Sequence, residues 1–246
     1  IEKQFDEKLL SLFSETKDKF NEQKNNPKVV NNVYLIFQKL LENKNISGAN
    51  YVECGVFMGG TFMSAIEFSK QNDMNFGFIG VDTFDGFPTV TEHNKNDLPN
   101  KFKDLYNDGL ISKEHFEKAK ERTNNFSDVS HLEPPYFKSD FSFLFDFCEK
   151  NKVELLKGKF ENVLHYIDCD INILHIDCDL YESYLECLDI LYYNIVSGGC
   201  IIFDEYYSHK YPGARVAVNE FFKDKNGFFE KYITPEGFER WCFVKE

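Results

Sequence analysis

The chain has 246 residues, 42% of them hydrophobic and 17% aromatic, and a formal net charge of −13. That length and apolar content suit one large domain, or a domain carrying a substantial insertion. Lys and Arg are scattered among Asp and Glu, which excludes the basic face of a nucleic-acid binder, and no apolar run nears the ~18 residues of a membrane span.

Seven cysteines, with no C-x-x-C pair, give no zinc signature. Several lie in apolar runs, where Cys acts as a small hydrophobe, so a reducing cytoplasm is the expected setting. No secretory leader is read at the start, although the chain begins on Ile1 rather than Met.

In chain order, apolar spacing predicts helices over 5–20 and 28–43. "GANYVECGV" is a strand running into a glycine turn, "GGTFMSAIEFSKQN" a helix, and "FGFIGVDTF" a second strand. Residues 85–138 break the pattern with polar stretches and prolines around a helical patch at 112–123. So long an irregular segment is read as a lid or substrate-binding insertion. The remaining residues, 1–47, are read as N-terminal helices, and 48–246 as the main domain. Alternation resumes with a helix over 139–152, a strand over 153–160, a short helix, and the strand "INILHIDCDL" at 171–180. A helix over 181–196, a Gly198-Gly199 turn, a strand over 200–207 and a helix over 214–224 follow. Two closing strands flank a Pro-Glu-Gly turn. The alternation predicts a doubly wound, mostly parallel α/β sheet ending in an antiparallel hairpin.

Ligands of such a sheet bind at the carboxyl ends of its strands. Those ends carry Glu53, Gly55, Gly59 and Gly60, then Asp82, then Asp177 and Asp179, then Asp204 and Glu205. The first turn, "ECGVFMGG", departs from a dinucleotide fingerprint because Phe57 stands where the second glycine belongs. A benzyl group and the charge of Glu53 both oppose a pyrophosphate. They suit S-adenosylmethionine, a cationic nucleoside without phosphates whose amino-acid end an acid helps to hold. Asp82 is placed either to accept the ribose hydroxyls or to cap a turn.

Asp177 and Asp204 are separated by one helix, so one βαβ crossover makes their strand ends neighbours. Oxygen ligands there suit Mg²⁺, Mn²⁺ or Ca²⁺. If the strand stays extended, Asp177 and Asp179 point to the same side. One is then suited to bind metal and the other to receive a proton, unless Asp179 caps the following helix. His175 is read as a hydrogen-bonded core residue. His209 is assigned either to its loop or to contact with the acceptor or the metal. Arg215 is assigned to an ion pair or to an anionic part of the substrate, and Tyr181, Tyr206 and Tyr207 to the acceptor site or to packing.

"VECGVFMGGT", "GVDTFDGFP", "LLKGKFENVL", "HIDCDLYES", "GGCIIFDEY" and "PGARVAV" together resemble the macrocin O-methyltransferase family, the metal-dependent sugar methyltransferases of macrolide and aminocoumarin biosynthesis. The resemblance spans roughly residues 48–224. It implies a class I methyltransferase fold with a seven-stranded sheet and an antiparallel C-terminal strand. It also implies methylation of a sugar hydroxyl using S-adenosylmethionine and Mg²⁺. By that resemblance Asp177, Asp204 and Glu205 are metal ligands, Asp179 is the general base, and Gly55, Gly59 and Asp82 hold the donor. The family usually has Asp at position 205, and here it is Glu. The implied partner is a small sugar or glycoside rather than nucleic acid or membrane, with a homo-oligomer possible through the N-terminal helices. The competing readings are a catechol-type metal-dependent methyltransferase and a methyltransferase-like module that binds without chemistry.

Overall fold

A computed structural model describes residues 2–4, 33–86, 95–132, 140–233 and 239–246. The helix expected over 5–20 and the turn between the closing strands lie outside these residues. The other N-terminal helix is described as α1, Val33–Asn43.

Among the described residues eight strands form one sheet: β1 (Glu2–Gln4), β2 (Ala49–Cys54), β3 (Phe76–Asp82), β4 (Glu154–Lys157), β5 (Ile171–Ile176), β6 (Ile195–Phe203), β7 (Gly227–Ile233) and β8 (Glu239–Lys245). Their order is β1-β7-β8-β6-β5-β2-β3-β4. The seven strands β2–β8 are those the resemblance implies, and β1 adds a three-residue edge parallel to β7. Only β8 runs antiparallel to its neighbours, β6 and β7. The parallel strands lie between helical layers, and β2 and β5 are almost wholly buried. Their continuous apolar runs follow from burial on both faces.

Alternation along the strands divides the core. Tyr51, Ile173 and Ile202 face α1, α2 (Gly60–Gln71) and α5 (Ser142–Asn151). On that side Phe37 of α1 stacks on Phe68 of α2, ring centroids 3.9 Å apart. Val52, Leu174 and Ile201 face α7 (Tyr181–Leu191) and α8 (Pro212–Phe221). A one-turn helix, α6 (Phe160–Val163), links β4 to the 3₁₀ turn before β5.

Two expected boundaries move. The strand at 171–180 stops at Ile176, because Asp179 adopts φ +63° and ends the extended run. The Gly198-Gly199 turn is instead an irregularity inside β6. Pairing with β5 passes from Ile171–Ile195 to Ile173–Cys200, and Gly198 supplies φ +81° within the extra residues.

The insertion is packed where it is described. α3 (Lys101–Asn107) and α4 (Lys113–Arg122) bury Phe102, Leu105, Ile111 and Ala119 against Val216 of α8. Ser112 caps α4, its hydroxyl accepting from the His115 N–H. Asp97 is 1% exposed, and its carboxylate accepts from the backbone N–H of Tyr181 at 2.9 Å. The insertion therefore supplies a cap to the N-terminus of α7, beside the acidic strand ends.

Candidate functional site

Parallel pairing sets β2, β5 and β6 side by side with Glu53, His175 and Ile202 in register. The ladder continues one step past the strands. The Asp177 N–H donates to Cys54 O at 2.9 Å, and the Asp204 N–H to Ile176 O at 3.0 Å. The two aspartates therefore leave adjacent strand tips, as their spacing predicts.

Oxygens of Asp177 and Asp204 and a ring nitrogen of His175 lie within 4.8 Å of one another. Glu205 is not part of this convergence. Its Oε2 accepts from the Tyr184 hydroxyl at 2.7 Å and from the Asp179 N–H at 3.3 Å. Asp179 does not share a strand face with Asp177, since the chain has already turned. It faces Lys210 and Tyr211 in the loop after β6, and Asp97 from the insertion. Nor does it cap α7, because Asp97 supplies that bond.

The charges are strongly coupled. Burial, and then negative Asp204, push Asp177 well above the usual carboxylate range. Burial and Asp204 also push Asp179 up to about 7, against the opposing pull of Lys210 and Tyr211. Glu205 is raised by burial and by its three acidic neighbours. Burial works against charge on Asp204 too, but His175 and Arg240 outweigh it and hold that carboxyl low. Burial likewise opposes a charged His175, yet Asp204 and Glu53 raise it to about 10. Several acids in one half-buried place call for a cation. Asp204 Oδ1 is buried without a hydrogen-bond partner among the described residues. Together with Asp177, that free oxygen fits a divalent ion.

The glycine turn adjoins this cluster. Gly55 has φ +91°, and a Cβ there would meet the carbonyl oxygen of Asp177 at 1.8 Å. Gly59 has φ +81°, and its Cβ would meet Leu144 at 2.4 Å. Packing within the protein thus accounts for both glycines. Asp82 accepts from the Phe57 N–H and the Phe84 N–H, each at 2.8 Å, and so pins the loops after β2 and β3 together. A carboxylate has about four acceptor positions, which leaves room for further donors. Glu53 is 1% exposed. It is held by Tyr51 and by His175 Nδ1 and lies inside the sheet behind the turn.

The remaining predicted residues divide. Arg215 donates to Tyr206 O at 3.0 Å and lies over the Tyr206 ring, without an acidic partner in that contact. Tyr206 packs among Phe203, Phe229 and Trp241. Tyr207 and His209 ring His115 of α4, at centroid distances of 4.6 and 4.7 Å. Tyr181 bonds Glu220 across to α8.

Sequence reasoning missed Tyr184, Asp97 and the convergence of His175 with the two aspartates. Only His175 left a signal, because two residues before Asp177 it shares that residue's strand side.

Strand order, the antiparallel β8 and acidic strand tips beside a glycine turn define a class I methyltransferase fold. The family model described as macrocin-O-methyltransferase (TylF) matches residues 139–233, the segment that carries Asp177, Asp179, Asp204 and Glu205. The chain is a methyltransferase, and the resemblance read from its motifs holds over that segment. Among solved structures it is similar to the O-methyltransferase NovP, at 22% identity and TM-score 0.55, over 87% of this chain and 79% of that one. It is also similar to CalS11, a calicheamicin methyltransferase, at 13% identity and TM-score 0.59, over 97% and 93% of the two chains. An apo structure of CalS11, described as a TDP-rhamnose 3'-O-methyltransferase, gives 16% identity and TM-score 0.50 over 97% and 95%. No curated protein sequence matches. Among the described residues no helix is long and apolar enough to cross a membrane.

Proposed function

We propose that the chain transfers a methyl group from S-adenosylmethionine to a hydroxyl of a sugar or glycosylated small molecule, with a divalent cation such as Mg²⁺ held by Asp177 and Asp204. The observation that carries this reading is the convergence of those two acids at neighbouring strand tips, against the backbone of Gly55. That convergence lies in the segment matched by the macrocin-O-methyltransferase model. The sugar acceptor rests on that family description.

An alcohol is a poor nucleophile because its pKa is very high. A bound divalent ion supplies Lewis acidity toward that hydroxyl. Asp179, turned out of the strand toward Lys210 and Tyr211, is the acid placed to take the proton. Glu205, whose Oε2 accepts from Tyr184 and from the Asp179 N–H, holds the Asp179 turn in place. The donor takes the side of the Gly55–Gly60 turn, with Asp82 at its ribose. The packed insertion, through Asp97 and helices α3 and α4, covers the acceptor side and keeps out water.

The test is a panel of nucleotide sugars, glycosides and catechols incubated with S-adenosylmethionine, with and without EDTA, and scored by mass for added methyl. The expected result is methylation of a sugar-bearing acceptor, lost with EDTA and lost in Asp177→Asn while donor affinity stays within about twofold. Methylation of catechols alone would reassign the acceptor. EDTA-insensitive turnover, or unchanged turnover in Asp177→Asn, would remove the cation.

A further inference from the structure

Resting on the cation reading above, we infer that His175 is itself a ligand of that ion. The centre is then a mixed imidazole–carboxylate site, backed by Glu53 and Tyr51, that prefers a first-row transition ion such as Mn²⁺ to Mg²⁺ or Ca²⁺.

The inference starts from where the two ring nitrogens of His175 point. The residue sits at the middle of the sheet and is 0% exposed. Nδ1 is committed to the interior, 3.2 Å from Glu53 Oε2 and 3.3 Å from the Tyr51 hydroxyl. That hydroxyl donates its own proton to Glu53. Glu53 can then accept from both, which fixes a proton on Nδ1 and leaves Nε2 as the outward nitrogen. Among the described residues Nε2 has no hydrogen-bond partner, and neither does Asp204 Oδ1. They face each other at 3.9 Å, and a ring nitrogen of His175 and one oxygen each of Asp177 and Asp204 lie within 4.8 Å of one another.

A buried nitrogen and a carboxylate oxygen opposed in this way require positive charge between them. Without an ion a proton on Nε2 can supply that charge, but at 3.9 Å it makes no hydrogen bond to Asp204, and a divalent ion that displaced it would meet both groups. An ion with bonds of about 2.1 Å separates its ligands by roughly 3.0 to 4.2 Å, from right-angled to opposite positions, and the observed spacing falls inside that range. The interior arrangement points the same way. A ligating histidine generally donates its other N–H to a carboxylate, which sets the tautomer and raises the basicity of the ligand. Glu53, in register with His175 on β2, occupies that position, and Tyr51 steadies it.

Glu205 is the competing third ligand, but it is not among the groups that converge with Asp177 and Asp204, and its Oε2 is turned to Tyr184 and the Asp179 N–H. Nitrogen in the ligand set shifts preference away from Mg²⁺ and Ca²⁺, which favour all-oxygen shells, toward ions that also accept imidazole.

The test uses the full chain, stripped with EDTA and free of methyl donor, titrated with Mn²⁺ or Mg²⁺ by calorimetry. The Mn²⁺ form is then examined by pulsed EPR for nitrogen hyperfine coupling, with ¹⁵N-histidine labelling to assign it. The expected result is one Mn²⁺ with a histidine nitrogen coupling that changes on labelling, and tighter binding of Mn²⁺ than of Mg²⁺. His175→Gln should lose the coupling and weaken Mn²⁺ about 10- to 100-fold, while Glu53→Gln keeps the coupling and weakens Mn²⁺ less. The wild-type spectrum decides the matter even if a variant fails to fold. Mn²⁺ bound without nitrogen coupling would overturn the His175 assignment and leave a carboxylate-held cation standing. Binding of neither ion would overturn the cation reading as well.

Discussion

At Gly55 the sheet can carry no side chain. Its φ of +91° is costly for any L-residue, and the missing Cβ makes room for the carbonyl oxygen of Asp177. Gly48 is a natural control, with φ +73° and nothing within 4 Å of its absent Cβ. Gly48→Ala should therefore cost only the backbone term, about 1–2 kcal/mol. Gly55→Ala should add the displacement of β5's end, for a total of about 2–5 kcal/mol. It should also weaken divalent-ion binding, because Asp177 moves with its own carbonyl. Urea denaturation and ion calorimetry on the two variants check this; equal losses would mean that Asp177 is not anchored by the bare turn. The acids at 177 and 204 were legible because one crossover makes their strand tips neighbours. The directions of Asp179 and Glu205 were not. They depend on one left-handed residue after the strand and on a tyrosine hydroxyl from α7. Neither leaves a mark in the spacing of carboxylates.

Among the elements, helix α4 shows how the insertion is tied to the strand-tip loop. His115 is 1% exposed, and its Nε2–H donates to Ser208 O at 2.9 Å. Tyr207 and His209 pack against the ring, and Phe102 of α3 lies 5.9 Å away. Burial, with the positive influence of His209, Arg215 and Lys118, lowers His115 to about 3, although the Ser208 bond pulls the other way. The unfolded chain protonates near pH 6.5 and the folded one does not, so the unfolded state binds the extra proton. The neutral ring's contribution is whole above pH ~6.5 and is lost as pH falls toward ~3, on the order of 1 kcal/mol per unit. His115→Gln keeps a donor for Ser208 without that proton. Urea midpoints between pH 7 and 5 should fall more steeply in the wild type than in the variant; parallel slopes would show that His115 is not held neutral. The existence of α4 was readable from its periodicity. That it docks through a histidine onto the loop after β6 was not, because the partner, Ser208, lies 93 positions away. The reading of β5 erred for the same reason. "INILHIDCDL" reads as one strand-like run, but pairing stops at Ile176, where β6 gives way to the loop that begins at Asp204.

At the scale of the whole molecule, a buried ion pair joins an early segment to a late one. Lys39 of α1 and Glu230 of β7 are 191 positions apart and meet at 2.8 Å. Glu42 also accepts from Lys39, and the Tyr232 hydroxyl donates to Glu230 at 2.6 Å. The side chains of the pair are 5% and 11% exposed, so neither charge has water to replace a lost partner. Removing one member should therefore cost far more than the pair itself contributes. Lys39→Met takes the ammonium away from a buried Glu230 carboxylate that still accepts from the Tyr232 hydroxyl and the Cys242 thiol, and about 3–5 kcal/mol of stability should go. Glu230→Gln alone leaves Lys39 with Glu42 at its partly exposed side and should cost less. The double variant, Lys39→Met with Glu230→Gln, has no stranded charge and should recover much of the Lys39→Met loss, as replacement of buried pairs by uncharged side chains often does. Equilibrium unfolding of the four proteins gives the coupling directly. Additive losses would mean that α1 and the C-terminal hairpin are held together by their apolar contacts alone, with the ion pair only accompanying them.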